Sequence, residues 1–187
     1  THPEGFQLSA QQQEAIRLAA SQTMVVITGG PGCGKTTVVR TIAALFRRAG
    51  LAVQLGAPTG RAAQRLSEVC DMKASTIHRM LKFDPVKRSF LHDEDSPLPV
   101  DALIVDESSM IDLPLATSLL AAVPPRARLI VVGDADQLPS VGPGLFLADL
   151  LSIPHVPRVR LSTLFRRADE SLITQVAHQI NAAIVPD

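Results

Sequence analysis

The run Gly29-Gly30-Pro31-Gly32-Cys33-Gly34-Lys35-Thr36 matches the spacing G-x-x-x-x-G-K-[ST]. Glycines at that density let the backbone wrap so that successive N–H groups point at one phosphate. Lys35 is then placed to neutralise β- and γ-phosphates, and the Thr36 hydroxyl to ligate Mg²⁺. Gly30, Pro31, Gly32, Cys33, Gly34 and Thr37 complete the expected nucleotide contacts. Such a motif carries weight only between a strand and a helix. Here an apolar run over 24–28 precedes it. Val38, Val39, Ile42, Leu45, Phe46 and Ala49 follow at helical spacing, and Gly50 is placed to end that helix. The helix N-terminus adds its partial positive charge to the loop. The chemistry expected is that of ATP with Mg²⁺.

Two further constellations fit the same chemistry. Leu103-Ile104-Val105-Asp106-Glu107 is an apolar strand ending in two carboxylates. Asp106 is expected to hold the metal through its water shell, and Glu107 to accept a proton from an attacking water. Alone, such a pair is also what a solvated strand end looks like. Val132-Gly133-Asp134-Ala135-Asp136-Gln137-Leu138-Pro139 again follows an apolar run, and the neutral amide of Gln137 suits a γ-phosphate. A polar turn has the same composition.

Positioning these groups requires a particular scaffold. Short apolar segments over 24–28, 52–56, 102–105, 129–132 and 156–161 alternate with helical stretches, among them 61–69 and 171–184. Strands of that kind predict an α/β fold with a mainly parallel sheet covered on both faces, doubly wound. Ligands of such sheets lie beyond the carboxyl ends of the strands, where all three constellations fall. The stretch 83–99 breaks the rhythm with Pro85, Pro97 and Pro99 and reads as an inserted loop or small hairpin.

Composition narrows the alternatives. A length of 187 residues suits one domain, and 46% hydrophobic with 19% charged residues is a folded composition. No apolar run approaches the ~20 residues a membrane helix needs. No leader pattern is visible, which with two cysteines leads us to expect a cytoplasmic protein. Cys33 and Cys70 lack the pattern of a disulfide framework or zinc site. Eighteen basic residues balance eighteen acidic ones, so any nucleic-acid contact must be local. Tyr and Trp are absent, leaving six Phe for stacking on bases.

The ordered set of Gly29 to Thr36, APTGRAA from Ala57, STIHR from Ser75, DESSM from Asp106 and GDADQLPSVGPG from Gly133 resembles a known family. It is similar to the first RecA-like motor domain of superfamily 1 DNA helicases, in the RecD/TraA branch, over nearly the whole chain. That resemblance implies a P-loop NTPase fold and ATP hydrolysis coupled to 5′–3′ movement on single-stranded DNA and duplex unwinding, in recombination or repair. It also implies a second RecA-like domain beyond Asp187, and possible recombination-complex subunits as partners, with no membrane. The helicase part of a conjugative relaxase and a motor-like docking module without turnover are alternative readings.

Further residues acquire expected roles from the same resemblance. LSAQQQEA from Leu8 is similar to the glutamine motif whose amide reads adenine, and the register points to Gln12, with Gln11 and Gln13 adjacent. In LSTLFRR from Leu161, Arg166 is expected at the γ-phosphate as charge develops, beside a second candidate in Arg167. Phe165 is expected against the base or in the core. Thr59, Gly60, Arg61, Thr76 and His78 are implied on the DNA-facing surface, where Thr59 also suits a helix cap and His78 a structural role. The insertion at 83–99 sits where 5′–3′ members carry a strand-splitting pin, with Phe90 or Leu91 expected near its tip. Cys33 departs from the Thr or Ser frequent at its position. A thiol beside a helix N-terminus is expected to be partly activated toward oxidation and protected by ATP.

Overall fold

The computed structural model describes residues 8–164. Phe165, Arg166 and the segment 171–184 lie outside the described residues. After α1 (Ala10–Ser21) come β1 (Met24–Gly29), α2 (Lys35–Arg48), β2 (Val53–Ala57), α3 (Gly60–Cys70), β3 (Ala74–Thr76) and α4 (Ile77–Met80). A hairpin, β4 (Phe83–Asp84) and β5 (Ser89–Phe90), precedes β6 (Ala102–Val105). A 3₁₀ turn (Ser108–Met110), α5 (Leu113–Ala122), β7 (Arg128–Gly133), α6 (Phe146–Ser152) and β8 (Arg158–Leu161) complete it.

One parallel sheet runs in the order β3-β2-β6-β7-β1-β8. Because side chains alternate faces along a strand, each central strand feeds two cores. Val25, Ile27, Ile104, Ile130 and Val132 pack toward α1, α2 and α3. Val26, Leu103, Val105, Leu129 and Val131 pack toward α4, α5 and α6. This is the doubly wound arrangement expected, with the five predicted strands in place to within two residues at each end. β3 is an additional edge strand.

Local chemistry sets the helix ends. Ser9 and Gln12 form a capping box at α1, and the Asp112 carboxylate accepts from the Leu115 amide, 2.9 Å away, at α5. α2 begins at Gly34 and stops before Gly50, both at positive φ that side chains rarely adopt.

The insertion opens with a hairpin over 83–90 and continues as a loop to 99, and the hairpin tip differs from expectation. Phe83 pairs with Phe90 and Asp84 with Ser89, so the chain reverses over 85–88, where Val86 is 91% exposed. Phe90 sits at the base, its ring 5.1 Å from that of Phe83 and 5.7 Å from that of His78. The Leu91 amide donates to the Leu81 carbonyl at 3.1 Å. The physical reason is twofold. The aromatic rings gain more from each other than from solvent, while the Asp84 carboxylate accepts from the Val86 and Lys87 amides and closes the turn there.

Candidate functional site

The carboxyl ends of β1, β6 and β7 lie side by side, so the segments that follow them meet in one place. In the loop after β1, Gly32 and Gly34 both take φ of 78°, which turns the backbone into a cradle. Lys35, at the first position of α2, folds its ammonium back over that loop. It donates to the carbonyls of Gly29 and Gly30, the latter at 3.1 Å, and lies 3.9 Å from the buried carboxylate of Asp134.

Asp106 and Glu107 follow β6. Glu107 takes a left-handed φ of 53°, and its amide donates to the Asp106 carboxylate at 2.9 Å. Burial pushes the Asp106 carboxyl above its ordinary range. The Glu107 amide opposes that shift, the Glu107 charge adds to it, and Lys35 and Arg65 pull against it. The buried Ser108 hydroxyl donates to the Val132 carbonyl at 2.8 Å, and Ser109 reaches the Gln137 side-chain oxygen at 3.4 Å. These bonds tie the turn after β6 to the loop after β7. A Cβ on Gly133 would lie 2.5 Å from Ser108 Oγ, so only glycine permits that approach.

The result is a cleft of ≈ 500 Å³ that brings together Gly30, Pro31, Gly32, Gly34, Lys35, Thr36, Thr37, Asp106, Glu107 and Gln137. Its remaining wall is α3, through Ala62, Arg65, Leu66 and Val69. Arg65 belongs to none of the motifs that mark the other candidate residues. Its signal was present in the i, i+3, i+4, i+7 stripe that begins at Ala62, which faces the sheet's functional edge. The residues fit a Mg²⁺-nucleotide: an amide-lined cradle, one ammonium, a hydroxyl and a carboxylate whose burial favours a cationic neighbour. No cluster of three or more metal-binding side chains occurs among the described residues, so a metal there needs phosphate oxygens as well.

Other candidates fall elsewhere. The Cys33 side chain is 3% exposed and belongs to the core, and burial is the main cause that raises its thiol pKa. The expectation of an activated thiol is thereby corrected, because desolvation of the thiolate outweighs the nearby Lys35 charge. Gln12 is fully buried. Its Oε1 accepts from the Ser9 amide at 3.0 Å, while its Nε2 has no partner among the described residues. Gln13 Nε2 donates to the Leu8 carbonyl, and Gln11 bonds to Ser162 and Thr163.

Thr59 and Thr76 cap α3 and α4, each Oγ1 accepting an amide at 3.2 Å and keeping its own proton to donate. Gly60 and Arg61 are exposed in the first turn of α3. The His78 ring stands edge-on to Phe83 at 5.7 Å and lines a second groove of ≈ 630 Å³, between the hairpin and α5.

Residues 12–143 match the family model described as AAA domain. The chain is 47% identical over 171 residues to the ATP-dependent RecD2 DNA helicase of Deinococcus radiodurans, covering 91% of this chain and 23% of that protein. It is 44% identical over 172 residues to the RecBCD enzyme subunit RecD of Mycobacterium tuberculosis, covering 80% of this chain and 29% of the relative. The chain thus spans less than a third of these curated relatives. The crystal structure of Bacteroides Pif1 bound to ssDNA superposes with a TM-score of 0.65 at 22% identity, over 97% of this chain and 47% of that one.

Proposed function

The chain belongs to the AAA-domain family, as a RecD-like first motor domain of superfamily 1, and from that premise we propose that it is the ATP-hydrolysing half-motor of a DNA helicase. The observation that carries this reading is the single cleft shared by Lys35, Thr36, Asp106, Glu107 and Gln137. Loop amides hold the phosphates and Lys35 neutralises them, while Thr36 and Asp106 hold Mg²⁺. When bound, the metal supplies charge to the phosphoryl oxygens. Glu107 takes the proton of the attacking water, Gln137 contacts the γ-phosphate, and Arg166 meets the charge that develops on it. The Nε2 of Gln12, which has no partner among the described residues, supports its assignment to adenine, with Phe165 beside the base.

Thr59, Gly60, Arg61, Thr76 and His78 hold the phosphates of single-stranded DNA without reading sequence. The second RecA-like domain closes over the cleft and converts hydrolysis into 5′–3′ movement. The hairpin tip at 85–88, with exposed Val86 and basic Lys87 and Arg88, splits the duplex. We assign the chain further to recombination or repair in the cytoplasm; its likeness to a RecBCD enzyme subunit supports work alongside other subunits. Among the described residues no helix is long and apolar enough to cross a membrane.

The test uses the full-length protein and duplexes with a 5′ or a 3′ single-stranded tail. Unwinding confined to 5′ tails, lost when 85–88 is replaced by Gly-Ser while DNA-stimulated ATPase persists, is the expected result. Unwinding from 3′ tails overturns the polarity, and tip variants that unwind normally overturn the pin.

A further inference from the structure

Three consecutive glutamines open α1, and each is engaged differently. Gln12 is buried in the capping box with Ser9, and Gln13 closes on Leu8. Gln11 reaches across 151 residues to the chain leaving β8. Its Oε1 accepts from the Ser162 amide at 2.9 Å and from the Thr163 amide and hydroxyl at 3.3 Å each, while its Nε2 donates to Ser162 Oγ at 2.8 Å. One side chain therefore fixes two successive backbone amides just past a strand end. Nothing in catalysis or base reading requires Gln11 itself.

The geometry points to Gln11 as a positioning residue that fixes where the chain leaves β8, just ahead of the segment that carries Arg166. Arg166 lies three residues beyond Thr163 in the sequence. This inference rests on the assignment of Arg166 to the γ-phosphate made above. Both ends of the clasp adjoin nucleotide elements: Gln12 follows Gln11, and β8 pairs with the strand that carries the phosphate loop. Glutamate can replace glutamine here, because a carboxylate accepts from both amides and the Ser162 hydroxyl can rotate to donate to it.

The experiment compares Gln11→Ala, Gln11→Glu, Gln11→Asn and Arg166→Ala in the full-length protein. It measures DNA-stimulated ATP hydrolysis, ADP binding, and hydrogen exchange of the peptide spanning 160–166. Gln11→Ala is expected to lower kcat by on the order of 10–100-fold, the cost of a misplaced catalytic group, with ADP affinity held within about twofold. The Ser162 and Thr163 amides should exchange faster, and Gln11→Glu should restore both exchange and kcat. Gln11→Asn, one methylene too short, should behave like Gln11→Ala and decides the matter if the alanine variant does not fold. If Arg166→Ala lowers kcat while Gln11→Ala and Gln11→Asn leave it unchanged, the clasp inference is overturned and the Arg166 reading stands. If Arg166→Ala has no effect, both fall.

Discussion

The Ser108 hydroxyl, fully buried, donates to the Val132 carbonyl at 2.8 Å and so joins the turn that carries Asp106 and Glu107 to the strand that leads to Gln137. Together with the contact from Ser109 to the Gln137 side chain, this bond ties the carboxylates to the Gln137 amide. Ser108→Ala is expected to cost about 1 kcal/mol in denaturant unfolding, the net worth of a buried hydrogen bond. It should also lower kcat several-fold while nucleotide binding persists. Unchanged kcat with lost stability would make the bond structural only.

Arg65 enters the cleft from α3, and its charge acts on Asp106. It lines the same cleft as the phosphate loop, Asp106 and Glu107. Arg65→Ala should weaken ATP more than ADP and reduce hydrolysis, and Arg65→Lys should recover part of the loss, since a point charge lacks the planar fork. Equal losses for ATP and ADP would place Arg65 away from the γ-phosphate.

Asp106 carries a stability cost that depends on pH. Burial raises its folded pKa above the unfolded value, so the folded state binds this proton more tightly. The penalty is fully present above the folded pKa and vanishes once pH falls below the unfolded carboxylate value. Asp106→Asn should therefore raise Tm at neutral pH, gain nothing in strong acid, and abolish hydrolysis. A lower Tm at pH 7 would show that the carboxylate stabilises the fold.

Both thiols are held in their protonated form. Cys70 is pushed up to about 11 and Cys33 is also raised, by burial in each case. Iodoacetamide at neutral pH should label neither in the native protein and both after denaturation, as mass spectrometry would read, with no protection by ATP. Rapid native labelling of Cys33 that ATP blocks would restore the activated-thiol expectation.

The sheet and the cleft were legible because their signals are local and periodic. Val25, Val26 and Ile27 announce a strand covered on both faces, and the glycines before Lys35 announce the cradle. β3 was not legible: three half-buried residues, Ala74 to Thr76, carry no alternation long enough to read. α5 is hidden by its largely apolar sequence, LPLATSLLAA, broken only by Thr117 and Ser118, which masks helical periodicity. Phe90 was misplaced to the tip because aromatic content does not reveal which residues pair. The turn bonds of Asp84 and the ring contacts with Phe83 and His78 decide that. The clasp of Gln11 joins positions 151 residues apart, a distance no motif spans.

The central claim is that the cleft around Lys35 hydrolyses ATP in the service of movement on DNA. It is tested most directly by steady-state ATPase of the full-length protein, with and without single-stranded DNA, beside Lys35→Ala and Glu107→Gln. The account predicts hydrolysis stimulated by DNA in the wild type. It also predicts a fall on the order of 10²-fold or more in both variants, with Glu107→Gln still binding ATP. Equal, DNA-independent rates in wild type and Lys35→Ala would contradict it.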